Sequence, residues 1–139
     1  MNRVAVTGLG AISPVGHNAP DSWRAIVAGE CGIGALDIPR RHLVSCPIAA
    51  QVRDYAPTNH FSAKQLAVLD RTSQFAVLSA REAVVHSGLD RLSAALVNAP
   101  VIIGTGVGGM NTLDDNFHAI YGEGKSRVHP FSIPKLMTN

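Results

Sequence analysis

The sequence predicts an α/β fold, and three observations predict it. Short runs of β-branched and apolar residues recur at 3–7, 47–52 and 100–105. Segments with helical spacing lie at 20–29, 62–87 and 112–122. Glycines stand at most of the changes between the two patterns, and such alternation marks the α/β class.

In chain order, "RVAVT" at 3–7 reads as a buried strand stopped by Gly8 and Gly10. "PDSWRAIVAG" at 20–29 reads as a short helix. Pro20 suits its first turn, Trp23, Ile26 and Val27 share a face, and Gly29 ends it. "PIAAQV" at 47–52 is a further strand. Residues 62–87 read as one long central helix, mostly buried. Ser62 and Gln65 form a capping box, with Phe61 and Leu66 at the staple positions. Leu66, Leu69, Phe75, Ala76, Ala80, Ala83 and Val84 recur at helical spacings, and Gly88 supplies the stop. "PVIIGT" at 100–105 is another buried strand. "TLDDNFHAIYG" at 112–122 is a helix with Leu113, Phe117, Ile120 and Tyr121 on one side. The tail from Glu123 holds Pro130 and Pro134 and reads as irregular. Its end, "IPKLMTN", is apolar where a domain terminus is usually loose, which is the expectation for an end inside a domain.

The 139 residues suffice for one domain with its own core. Apolar residues make up 46% and charged residues 16%, the balance of a folded chain. Net charge is +2, and Arg40–Arg41 is the only adjacent basic pair, which speaks against a nucleic-acid partner. No apolar run approaches the roughly 20 residues of a membrane span, and "MNRVAVTGLG" lacks the plan of a signal peptide. A cytoplasmic protein is the expectation. Cys31 and Cys46 give neither a disulfide framework nor paired metal spacing, and read as reduced, partly buried thiols. The six histidines form no ligand pair, so no metal is expected.

Gly104, Gly106 and Gly109 in "VIIGTGVGGM" spell G-x-G-x-x-G. A dinucleotide site also needs an acidic residue about 20 positions on, at a strand end. There lies "GEGKSRVHP", with Glu123 between glycines. At the amino terminus, where that fingerprint usually falls, Ser13 takes the third glycine's place and Pro14 interrupts the helix start. The favoured reading is a tight turn between packed layers. A dinucleotide-binding fragment is the alternative.

Four blocks together resemble the β-ketoacyl-[acyl carrier protein] synthases. They are "VAVTGLGAISPVGHN" with "SWRAIVAGECGI", then "LDRTSQFAVLSAREAVVHSGL", "VIIGTGVGGM" and "HPFSIPKLMTN". The resemblance covers nearly the whole chain, leaves 36–60 as the variable part, and is nearest to the fatty-acid elongation type. It implies a thiolase-like fold in α-β-α-β-α layers, usually in a homodimer. Residues 1–139 would be the amino-terminal portion of its first half, ending before the nucleophile. The implied chemistry is decarboxylative condensation of acyl and malonyl thioesters, without a cofactor. A cysteine takes the acyl group, two histidines stabilise the enolate and oxyanion, and a lysine supports them. All of those follow Asn139 in the family, so no catalytic residue is assigned and the isolated chain is expected to be inactive. Cys31 lies where the family often has serine. A chain-length-factor-like partner, or an interaction subunit without catalysis, is the alternative within the family.

The resemblance carries over a few binding positions. Val107, flanked by Gly106 and Gly108, matches an apolar position beside the acyl pocket and near the dimer interface. Phe131 to Ile133 match the segment that borders that pocket from the partner subunit. The competing reading of Val107 is a core residue. Lys64 and Arg127 match positions that are often basic and touch the acidic acyl carrier protein. Ala63, Ala67 and Val68 stand where the elongation enzymes carry further basic residues, and solvated surface charge is the competing reading.

Overall fold

A computed structural model describes residues 3–89 and 94–137. The chain divides into two compact units, Met1–Tyr55 with Leu78–Arg91, and Ala56–Val77 with Leu92–Asn139. Helix and sheet are mixed, as the α/β reading expects.

In the first unit, helix α1 spans Ala19–Val27. The side chain of Asn18 accepts from the Asp21 amide at 2.7 Å and satisfies one orphan donor of the first turn. Pro20 sits where its missing N–H costs nothing, as expected. The helix buries Ser22 and Ala25, while Trp23, Ile26 and Val27 face solvent. Strands β1 (Ile33–Ala35) and β2 (Ile48–Ala50) form an antiparallel pair, with Gly34 opposite Ala49. The expected strand at 47–52 is thus present. Its partner was not foreseen, because "IGA" is too short and too rich in small residues to carry a strand pattern.

Helix α3 runs over Arg71–Ser87, and its residues from Leu78 onward belong to this unit. The segment before α1 is fastened to it. Glu82 accepts from the Ala11 amide with one carboxylate oxygen and from the Ala19 amide with the other, each at 2.8 Å. The Leu9 amide donates to Nδ1 of His86 at 3.0 Å. A Cβ on Gly10 would overlap the Ser79 carbonyl, so the backbone lies directly on the helix there.

In the second unit, a capping box opens the short helix α2 (Ala63–Leu66), as the sequence predicts. The Gln65 amide donates to Ser62 Oγ, and the Gln65 side chain accepts from the Ser62 amide at 3.0 Å. Phe61 before it is buried. The expected single helix over 62–87 is broken between Leu66 and Arg71. Asp70 is the cause. Its Oδ1 accepts from the Thr72 amide at 3.1 Å and its carbonyl accepts from the Gln74 amide at 2.9 Å, which starts a new helix. The Gln74 side chain donates to the Leu69 carbonyl at 3.0 Å, satisfying backbone freed by the break. Gln74 is the one fully buried residue of α3, which therefore is not mostly buried as expected.

Helix α4 spans Ala94–Val97 and α5 spans Met110–Phe117, continued by a π-turn over His118–Gly122. This confirms the helix expected at 112–122, and Phe117 stacks on Tyr121 there. The tail is not wholly irregular, because α6 spans Ser132–Leu136. Pro134 is its third residue, inside the first turn, where no helical N–H bond is lost.

The segments 3–7 and 100–105 form no strand among the described residues. Val4 and Ile102 are each 92% exposed. A strand exists only as one side of a ladder, and no described segment pairs with either. Ala25 and Phe61 are the only fully buried apolar residues described, so the expected core is small.

Candidate functional site

The glycine loop, the first turn of α3 and the start of α5, all in the second unit, form one hydrogen-bonded cluster. Asp70 is its centre, 3% exposed. Its Oδ1 caps α3 through the Thr72 amide. Its Oδ2 accepts from the Thr112 amide at 3.0 Å and from Thr112 Oγ1 at 2.6 Å. Thr112 is the third residue of α5, and Gly109, the residue before that helix, has no side chain to cap it. Asp70 therefore supplies from a distance the acceptor that a capping residue would supply locally.

The loop is fastened on its other sides as well. Thr72 Oγ1 donates to the Gly108 carbonyl at 3.0 Å, and the Gly108 amide donates to Thr105 Oγ1 at 3.0 Å. The Gly109 amide donates to the Leu136 carbonyl at 2.9 Å, tying the loop to α6. Gly108 has φ +80°, open at little cost only to glycine. A Cβ on Gly109 would stand 2.9 Å from Leu136 Cα and 3.1 Å from Asp70 Cβ. Gly104 and Gly106 have nothing within 4 Å of the same position.

This geometry answers the G-x-G-x-x-G question. A dinucleotide loop leaves the amides at its helix start free for a phosphate. Here the Thr112 amide already holds a carboxylate and the Gly109 amide a carbonyl. A second anion at the start of α5 would meet the Asp70 charge. The reading as a tight backbone turn fits, with Gly108 and Gly109 as the residues that need to be glycine.

The structure brings some of the sequence-derived site residues together. Gly106, Val107 and Gly108 form the bend of the loop, and Val107 is 65% exposed, so it is not a core residue here. Phe131 and Ile133 lie at the start of α6, whose far end at Leu136 holds Gly109. Both are exposed. Phe131 also borders an open cleft of about 330 Å³ with Asp115, Asn116, His129, Ser132 and Lys135. Val107 is not among the residues lining that cleft. Lys64 on α2 and Arg127 in the tail are exposed. Cys31 and Cys46 are free and exposed, not partly buried, because the loops that carry them run over the surface. The described residues contain no group of three metal-ligating side chains, and no described helix is long and apolar enough to cross a membrane.

Sequence reasoning missed Asp70, Thr72 and Thr112. A signal was present: the helical spacing lapses between Leu69 and Phe75, and an aspartate stands in that gap.

A family model described as "Beta-ketoacyl synthase, N-terminal domain" matches residues 1–139. The chain belongs to this family. Among curated synthases, 3-oxoacyl-[acyl-carrier-protein] synthase 2 of Coxiella burnetii is 38% identical over 139 residues, covering 99% of this chain and 33% of that protein. The protein of the same name from Synechocystis is 34% identical, also over 139 residues and 33% of its length. That of Staphylococcus aureus is 32% identical over 135 residues, covering 97% of this chain. The chain spans about a third of the curated relatives it matches. Among solved structures, the ishigamide ketosynthase/chain length factor superposes with a TM-score of 0.77 at 21% identity, over 95% of this chain and 33% of that one. The β-ketoacyl synthase fold expected from the four blocks is therefore the fold of this chain, in part.

Proposed function

We propose that this chain is the amino-terminal portion of a 3-oxoacyl-[acyl-carrier-protein] synthase of the fatty-acid elongation kind. In that reaction an acyl group is held as a thioester on a cysteine of the enzyme. A malonyl thioester loses carbon dioxide, and the enolate so formed attacks the acyl carbon. The new carbon–carbon bond replaces the acyl–sulfur bond, and the cysteine leaves as its thiolate. The reading places the cysteine, both histidines and the lysine after Asn139 and assigns this chain the pocket wall. Neither Cys31 nor Cys46 is the nucleophile.

The observation that carries the reading is the loop at 104–109. It is closed to a phosphate by Asp70 and the Leu136 carbonyl, while Val107 stands outward at its bend. An outward branched side chain on a rigid turn suits a wall that an alkyl chain passes. The reading extends to an acyl carrier protein contacting Lys64 and Arg127, to a homodimer or a related synthase subunit, and to the cytoplasm. Exposed apolar residues such as Val4, Trp23 and Ile102 support a further protein surface over this one.

The test is Val107→Phe in a full-length synthase that begins with this chain, assayed against acyl carrier proteins of graded chain length. Condensation of short acyl groups persists and condensation of long ones is lost, since a steric clash is not bound by the ~1–3 kcal/mol of a single methylene. Equal losses at every length remove Val107 from the pocket. With the isolated chain, mass spectrometry after incubation with an acyl thioester detects no stoichiometric adduct. An adduct on Cys31 or Cys46 defeats the assignment.

A further inference from the structure

Val107 makes an unusual demand on its surroundings. It is largely exposed, so packing does not fix it. Its place comes from the backbone on either side. That backbone is held at Gly108, whose carbonyl accepts from Thr72 Oγ1 and whose amide donates to Thr105 Oγ1, each at 3.0 Å. Thr72 is held in turn, since its own amide is bound to buried Asp70. The same carboxylate fixes Thr112 at the start of α5. The bonds form one chain from Asp70 through Thr72 to the carbonyl of Gly108, the residue that follows Val107.

We propose that Thr72, anchored by Asp70, is a positioning residue for Val107 and so for the length of acyl chain accepted. The inference rests on the acyl-pocket reading above. Thr72 touches no substrate in this account and acts through the Gly108 carbonyl. Losing its hydroxyl frees the Gly108 carbonyl without removing any atom of the pocket wall.

The experiment has two arms. In the 139-residue chain, amide hydrogen exchange is compared for wild type, Thr72→Val and Thr72→Ser. The valine variant keeps the amide bond to Asp70 and loses only the hydroxyl. Exchange at Gly109, whose N–H shares a peptide with the freed Gly108 carbonyl, rises about fivefold, as the loss of one hydrogen bond holding that peptide implies. Gly108 beside it rises less, and the serine variant restores both. The amides of Ala28 and Gly88 in the first unit do not change. Should Thr72→Val fail to fold, Thr72→Ala makes the same loss at the Gly108 carbonyl and is read at the same amides. Unchanged exchange at Gly108 and Gly109, or equal acceleration throughout, overturns the proposal. In the full-length synthase, Thr72→Val raises KM for long acyl carrier proteins several-fold and leaves kcat for the shortest unchanged, and Thr72→Ser rescues it. Exchange that responds while neither Thr72→Val nor Val107→Phe shows any length dependence overturns the acyl-pocket reading instead. Length dependence in Val107→Phe but not in Thr72→Val overturns the positioning role alone.

Discussion

The glycine segments at 8–10 and 104–109 share a sequence pattern and differ in their surroundings. Each follows a β-branched run, each lacks a ladder on that run among the described residues, and each lies beside a carboxylate that bridges two backbone amides. Glu82 does this for Ala11 and Ala19, and Asp70 for Thr72 and Thr112. In the first segment the glycines lie against the backbone of α3, where a side chain would overlap Ala83 or Ser79. In the second, the two glycines that open the motif meet nothing, and only Gly108 and Gly109 are constrained. The motif spelling is therefore a poor guide to which glycine matters. What matters is whether another backbone passes within contact distance or the chain turns through a left-handed φ, and the motif encodes neither.

The sharpest test of the contrast is Gly10→Ala. Its Cβ would press into the α3 backbone, which cannot move aside as a flexible side chain can. A loss of about 3 kcal/mol is expected in urea unfolding, at the upper end for overpacking. A loss below about 0.5 kcal/mol would show that the segment lifts off the helix. Asp70→Ala comes next, at about 2–3 kcal/mol, because it strands the Thr72 and Thr112 amides. Asp70→Asn should lose less, since one oxygen still accepts while the amide group opposes a donor. If the two variants unfold alike, the double cap is not the source of the stability.

Gly108→Ala should cost about 1–2 kcal/mol through its left-handed backbone. The expected melting temperature is lower, with the cooperativity unchanged. Gly104→Ala and Gly106→Ala close the series, each within about 0.5 kcal/mol of wild type. Addition of NAD should not shift the melt of any of these proteins. A large loss at Gly104 or Gly106, or a shift with NAD, would erase the contrast and restore the dinucleotide reading.

Some of the site was legible without coordinates. The capping box at Ser62–Gln65, α1 with Pro20 in its first turn, and the helix beginning near Thr112 follow from local rules that depend on a few neighbouring residues. The bend at Val107 was legible as a turn for the same reason. Asp70 was hidden because Leu66, Leu69 and Phe75 fit one helical stripe if the lapse between them is ignored. Its two partners are also far apart in sequence: Thr72 is two residues on, but Thr112 is 42 away. The strands at 3–7 and 100–105 were misjudged for the opposite reason. Their residues have strand propensity, but propensity forms no ladder without a neighbour.

By itself the sequence determined the class of fold, the family through four ordered blocks, the helix starts set by local caps, and the position of the glycine turn. These depend on contacts within a few residues, or on a pattern that many residues share. Tertiary structure alone decided that the helix at 62–87 is two helices, that Pro134 lies inside one, and that an aspartate fills the place a phosphate would need. Each of those turns on where a distant backbone amide or carbonyl comes to rest. A hydrogen bond made or missed across a long loop is not written in the residues on either side of it.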